Sequence, residues 1–135
     1  MENMIINHLA VFAAAISAFV IGGLWYSPAL FAKPWMKANG FTEKSLEGAN
    51  MGKIFGVSFV MTLFMAYNLG FFLGDANTDA MWGLTAGFLA GFGWAAMGLS
   101  IVAMFERRPA AYMFINGGYL VVALSVMGLI IGAWR

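Results

Sequence analysis

The chain has 135 residues, of which 62% are hydrophobic and 10% charged, and its mean hydropathy is +0.83. A water-soluble domain carries about a quarter of its residues charged, so this composition belongs to a chain surrounded by lipid. The net charge of +1, with seven dispersed basic residues, builds no patch for nucleic acid, and the absence of cysteine removes disulfides, thiolate metal sites and thiol nucleophiles.

Residues 3–32, 54–74, 80–105 and 109–134 contain no Asp, Glu, Lys or Arg. Each gap exceeds the roughly 18 apolar residues that mark a spanning helix. The expected fold is an all-α membrane protein: four transmembrane helices in one compact bundle, with an interfacial amphipathic segment between helices 1 and 2. The spans are expected at about 6–26, 54–74, 80–105 and 110–134, with no separate soluble domain.

At the start of the chain, Glu2 stands where a secretory signal would carry Lys or Arg. The Ala13, Ala14, Ala15 run resembles a cleavage site, but the apolar stretch continues well beyond it, so a retained first helix is expected. That helix carries a small-residue stripe, Ala10, Ala14, Ala18 and Gly22, at the four-residue spacing that places residues on one face.

The first helix is expected to end at Trp25, Tyr26, Ser27 and Pro28, because proline disfavours helix in the residue before it and amphipathic rings favour the headgroup level. Phe31, Lys33, Trp35, Met36 and Lys37 then mix aromatic and basic residues as in a segment lying on the membrane surface. Asn39 and Gly40 can close a turn, and Thr42 before Glu43 predicts a cap and a short surface helix leading into the second span. Glu43, Lys44 and Glu47 form a solvated face.

The second span repeats the stripe with Ser58, Thr62, Ala66, Gly70 and Gly74. Asp75 and Asp79 flank a tight connection, which is the composition of a helix end followed by a helix cap; calcium takes about six to eight oxygen ligands, and no further acid lies nearby. In the third span Gly83, Gly87, Gly91 and Ala95 make a groove against which another helix backbone can press, and the bundle is expected to be organised around it.

Glu106, Arg107, Arg108 and Pro109 form a short anchored turn, so the third and fourth helices are expected to be antiparallel neighbours. The fourth span holds Asn116, Gly117, Gly118 and Tyr119 and ends with Gly128, Gly132 and Trp134.

The run Trp25, Tyr26, Ser27, Pro28, with Leu30, Phe31, Lys33 and Trp35 behind it, resembles the signature of an uncharacterised bacterial membrane family, domain of unknown function 1761. Glu106, Arg107, Asn116, Gly118, Tyr119, Gly128, Gly132 and Trp134 agree with the same pattern. The resemblance implies a small four-helix protein of the bacterial inner membrane, and it brings no established activity.

Four crossings put the 28–53 loop and the Glu106 turn on one side, and both termini with the Asp75 turn on the other. Lys33, Lys37, Lys44, Lys53, Arg107 and Arg108 lie on the first side against Arg135 alone on the second, which predicts a cytoplasmic loop and termini outside.

No Asp, Glu, Arg or Lys stands at membrane depth, as an ion-coupled carrier would require. His8, the single histidine, has no sequence neighbour suited to orient it except Glu2, and no phosphate loop, zinc spacing or dinucleotide fingerprint appears, so neither catalysis nor a cofactor is expected. Two roles remain: a structural or accessory bundle that docks a copy of itself or another membrane subunit, and a small channel for a neutral or weakly polar solute. Asn68, Asn116 and Tyr119 are the candidates for lining such a path; the same groups can instead bond across helices.

Overall fold

The computed structural model describes residues 4–135; Glu2 lies outside the described residues. The order is α1 (His8–Trp25), α2 (Ala32–Asn39), α3 (Met51–Phe72), α4 (Ala80–Ala90), a π-helical stretch (Gly91–Ala96), α5 (Met97–Phe105) and α6 (Ala110–Ala133). α4, the π stretch and α5 form one continuous helix, Ala80–Phe105, so four helices are long and apolar enough to cross a membrane. The fold is all-α and the chain is a multi-pass membrane protein.

The helix ends follow from local chemistry. The Asn7 side chain accepts from the amides of Leu9 and Ala10, Asn50 from that of Lys53, and Asp79 from that of Trp82. Each satisfies a donor that the first helical turn leaves open. At the other end of α1 the Ser27 hydroxyl donates to the Leu24 carbonyl at 2.7 Å. α2 closes on Gly40, whose φ of +69° is the left-handed conformation that frees the Phe41 amide to reach the Met36 carbonyl at 2.8 Å.

Two expectations about the 28–53 loop change. After Gly40 there is a chain of turns in place of a surface helix: the Thr42 amide donates to the Ser45 hydroxyl and the Ser45 amide to the Thr42 hydroxyl. Gly48, with φ +83°, then reverses the chain. So few residues between two left-handed glycines cannot repay helix nucleation. Asn50 starts α3 at Met51 and not at Ile54, so Lys53 sits in the first turn of the spanning helix.

The helices are antiparallel along the chain, and α6 rather than the glycine run is the element on which the others pack. α4 lies against one side of α6 and α1 against another; α3 leans on α1. Val11, Ala14, Ala15 and Ala18 of α1, Ala66 and Leu69 of α3, and Ala123, Leu124, Met127 and Ile131 of α6 form the buried core. Alanine dominates the α1 contribution, so the α1 and α6 backbones approach closely and gain dispersion contacts that lipid cannot supply.

The closest approach is between α4 and α6. A Cβ added to Gly87 would stand 2.1 Å from the Leu124 carbonyl oxygen, and one on Gly132 would stand 2.4 Å from that of Asp79. The glycine stripes of the third and fourth spans face each other and are consumed inside the bundle. Past Gly91 the stripe shifts by one residue. Winding with i→i+5 bonds takes up an extra residue, so Ala96, 5% exposed, continues the face that Ala95 was expected to hold. Ala96 meets Gly117, and Ala95 sits half-buried at the side of the core.

The far end of the bundle is tied by Arg135, whose guanidinium donates to the carbonyls of Leu73 and Asp75. The Leu73 carbonyl is one that the end of α3 leaves open, where a cation is favoured, and the Asp75 carbonyl also accepts from the Thr78 amide of the following turn. The Ile5 amide donates to the Gly74 carbonyl at 2.9 Å and joins the opening residues to the same corner.

Candidate functional site

The end of α1 and the first turns of α6 are ninety residues apart in sequence and interlock in space. The Trp25 indole Nε1 donates to the Ile115 carbonyl at 2.8 Å, and the Tyr26 hydroxyl donates to Asn116 Oδ1 at 2.7 Å. One turn deeper the Tyr119 hydroxyl donates to the Ala18 carbonyl at 3.0 Å.

Two glycines admit these rings. A Cβ on Gly118 would lie 3.0 Å from the Trp25 ring, and one on Gly22 would lie 3.3 Å from the Tyr119 ring. Each helix thus gives up a side chain where the other inserts an aromatic. The rings continue outward as a layer: Tyr119 to Tyr26 at 5.6 Å, Tyr26 to Trp35 at 5.9 Å, Trp35 to Phe41 at 5.4 Å. Trp25 packs on Phe31 at 4.8 Å. Tilted and edge contacts at these separations are favourable in their own right, and tyrosine and tryptophan suit a boundary with one wet and one apolar side.

Against this layer opens a cavity of about 710 Å³ between α1, α3 and α6. Ala18, Gly22 and Gly23 form its α1 wall, Ser58, Thr62 and Met65 part of its α3 wall, and Tyr119, Ala123 and Met127 its α6 wall, with Tyr26 and Trp35 at the end nearest α2. The Thr62 hydroxyl donates to the Ser58 carbonyl on its own helix. The lining is therefore mostly apolar, with polar atoms at Tyr26, Trp35 and Tyr119 and at Ser58 and Thr62 along α3.

The residues singled out in the sequence divide among three places. Trp25, Tyr26, Trp35, Asn116 and Tyr119 meet in the aromatic layer, while Ser27 and Pro28 make the turn beneath it and Lys33 is exposed on α2. Gly83, Gly87, Gly91, Gly128 and Gly132 form the α4–α6 seam. Ala10, Ala14 and Ala18 are buried on α1, and Ala66 and Gly70 face that helix, a Cβ on Gly70 standing 3.4 Å from Val11. Gly74 falls just past the end of α3, facing Met4.

Asn68 is not brought to Asn116 and Tyr119. It is exposed on α3 between Phe64 and Phe71 on one side and a recess lined by Ala90, Trp94 and Leu124 on the other. His8, which lacked a partner in sequence, shares a hydrogen bond of 2.7 Å with Tyr67 across α1 and α3. Asp75 and Asp79 close an Asx turn and cap α4, as expected.

Sequence reasoning missed Ala96, Gly117 and the Arg135 clasp. The first two follow only once the extra residue of the π stretch is known. The third had a signal, a basic residue at the end of an apolar helix, read only as a weak topological marker.

Chemically, the interlock offers hydrogen-bonded rigidity and the cavity offers a recess lined mostly by apolar side chains. The sequence matches the model of the family described as "Protein of unknown function (DUF1761)" over residues 9–132. Neither the curated proteins nor the solved structures provide a match. The matched stretch takes in both halves of the aromatic interlock and the glycine seam, and the chain belongs to the DUF1761 family of proteins of unknown function.

Proposed function

We propose that this chain is a non-enzymatic helix-bundle subunit of the bacterial inner membrane that associates with a second copy of itself or with another membrane protein. Its lysine-rich end faces the cytoplasm and both termini lie outside. One observation carries the reading: Asn68 projects from the flank of α3, exposed, inside an otherwise apolar face, and makes no side-chain hydrogen bond among the described residues. An amide facing hydrocarbon is costly, and a bond to a neighbouring helix relieves that cost.

The rest of α3 supports the same conclusion. Of its 22 residues only Ala66, Leu69 and Gly70 are buried. The channel alternative finds less support, because the Asn116 Oδ1 and the Tyr119 hydroxyl are engaged in bonds between helices and Asn68 stands apart from them.

The test is native mass measurement of the full-length protein released from nanodiscs, beside its Asn68→Leu variant. A wild-type oligomer, or a stoichiometric complex with another membrane protein, that Asn68→Leu disperses supports the reading. A wild-type monomer with no bound subunit overturns it. Solute flux in liposomes that Asn116→Leu abolishes would favour the channel.

A further inference from the structure

We propose that the partner is a second copy of this chain held along α3: the α3 helices of two identically inserted chains pair in parallel about a two-fold axis along the membrane normal, each seated in the recess of the other. The inference rests on the reading of the chain as a subunit that associates in the membrane.

The recess runs the width of the bilayer. From the cavity between α1, α3 and α6 it passes Met65 into the opening between α3 and the third crossing, where Asn68 and Phe72 stand opposite Ala90, Trp94 and Leu124, and continues to Trp82. Its α3 wall extends from Ile54 to Phe72. At 1.5 Å per residue that is about 27 Å, close to the ~30 Å of the hydrocarbon layer, which is the length of a spanning helix.

The α3 wall is regularly spaced. Ile54, Ser58, Met61, Met65, Asn68 and Phe72 line it at intervals of four, three, four, three and four residues. Alternating threes and fours average 3.5 residues, the seam along which two helices wind around each other with the left-handed crossing common in membrane bundles. Within one chain this seam is left open: Ile54, Met61, Asn68 and Phe72 are all exposed.

The helix that matches the seam is α3 itself. In a parallel pair about a two-fold axis each seam residue meets its own counterpart at the same depth, so Asn68 meets the partner's Asn68. A carboxamide carries both donors and an acceptor, so two of them bond reciprocally, and a paired amide of this kind fixes register. Ser58, the other polar member, is self-complementary in the same way, because a hydroxyl both donates and accepts.

The packing leaves room for the copy. α6 lies between α1 and α4, and α3 leans on α1, so the place over α4 and α6 is open. A half-turn about the membrane normal brings the copy's α3 into that place and seats the first α3 over the copy's α4. Ala86 and Ala90, four apart on α4, keep this wall low enough for a close backbone approach.

Single cysteines in the full-length chain, which has none of its own, test the pairing in native membranes. Ile54→Cys, Met61→Cys and Phe72→Cys lie on the seam, and Val60→Cys, on α3 away from the recess, is the control. All four positions are exposed in the single chain, so the substitutions leave its core intact. Under oxidation each seam variant is expected to form a disulfide-linked dimer several-fold more than Val60→Cys, because a disulfide needs Cα atoms within about 7 Å. Native mass measurement of the same variants in reduced form separates the two readings. A dimer that crosslinks equally on and off the seam, or only at Val60→Cys, overturns the α3 pairing and leaves association standing. A complex with a different membrane protein and no self-crosslinking does the same. A monomer with no crosslinking at any position overturns both.

Discussion

Gly83 and Gly128 exclude each other's side chains: a Cβ on the first would lie 2.1 Å from the carbonyl oxygen of the second, and a Cβ on the second 2.0 Å from the carbonyl oxygen of the first. The obstructing atoms are backbone on both sides, so no rotamer change can relieve the clash. Gly83→Ala and Gly128→Ala are each expected to destabilise the bundle by about 2 kcal/mol or more through forced separation of α4 and α6. Gly93→Ala and Gly98→Ala, whose added Cβ meets nothing within 4 Å, are expected to be neutral or stabilising by up to about 1 kcal/mol. Thermal or detergent-titrated unfolding of the four variants checks the contrast.

The Tyr26 to Asn116 bond is open to a double-mutant cycle with Tyr26→Phe and Asn116→Leu. Hydrogen bonds between membrane helices couple by about 0.6 kcal/mol on average, with a ceiling near 1.7. Coupling in that range, favouring the wild-type pair, is expected from unfolding measurements on the two single variants and the double variant. Zero coupling would mean that the aromatic layer is held by ring packing alone.

Arg107 holds a left-handed backbone with φ of +58°, a conformation that costs a side chain about 1 kcal/mol. Arg107→Gly is expected to raise stability by about half of that once the added freedom of the unfolded chain is counted. Gly40→Ala, at φ +69°, is expected to lower it by about 1 kcal/mol. The pair of melting shifts, opposite in sign, is the readout.

The proposed orientation can be read by labelling, because the chain has no cysteine of its own. Glu47→Cys sits among the turns after α2 and Ala76→Cys in the turn before α4, at opposite ends of the bundle. In intact cells a membrane-impermeant maleimide is expected to modify Ala76→Cys and to reach Glu47→Cys only after the membrane is opened. The reverse pattern would turn the molecule over.

Charge spacing made the architecture legible. Four runs without Asp, Glu, Lys or Arg, each longer than a bilayer requires, left little freedom in the number of crossings, and Asp79 and Pro109 marked the starts of α4 and α6 where they occur. Lateral arrangement was less legible. All four spans are apolar around their whole circumference, so periodicity cannot say which face meets which helix. Small residues at four-residue spacing told that Gly83 and Gly87 pack, without naming Gly128 as the partner. The aromatic motif at Trp25 and Tyr26 and the Asn116 to Tyr119 run were both visible, but their union depends on ninety residues of intervening chain. The cavity had no sequence signal, since it is defined by where α3 fails to close on α6.

The irregular winding at Gly91–Ala96 means that the third crossing carries one residue more than a uniform helix of the same height. Shortening the chain by one residue there, for example by deleting Gly93, restores ordinary winding and leaves Ala103 pointing where it already points. The same deletion in α4 or α6 would rotate everything after it by about 100° and tear the glycine seam out of phase. This short stretch is thus the one place in the crossing where length can vary while the interface below it keeps its aim.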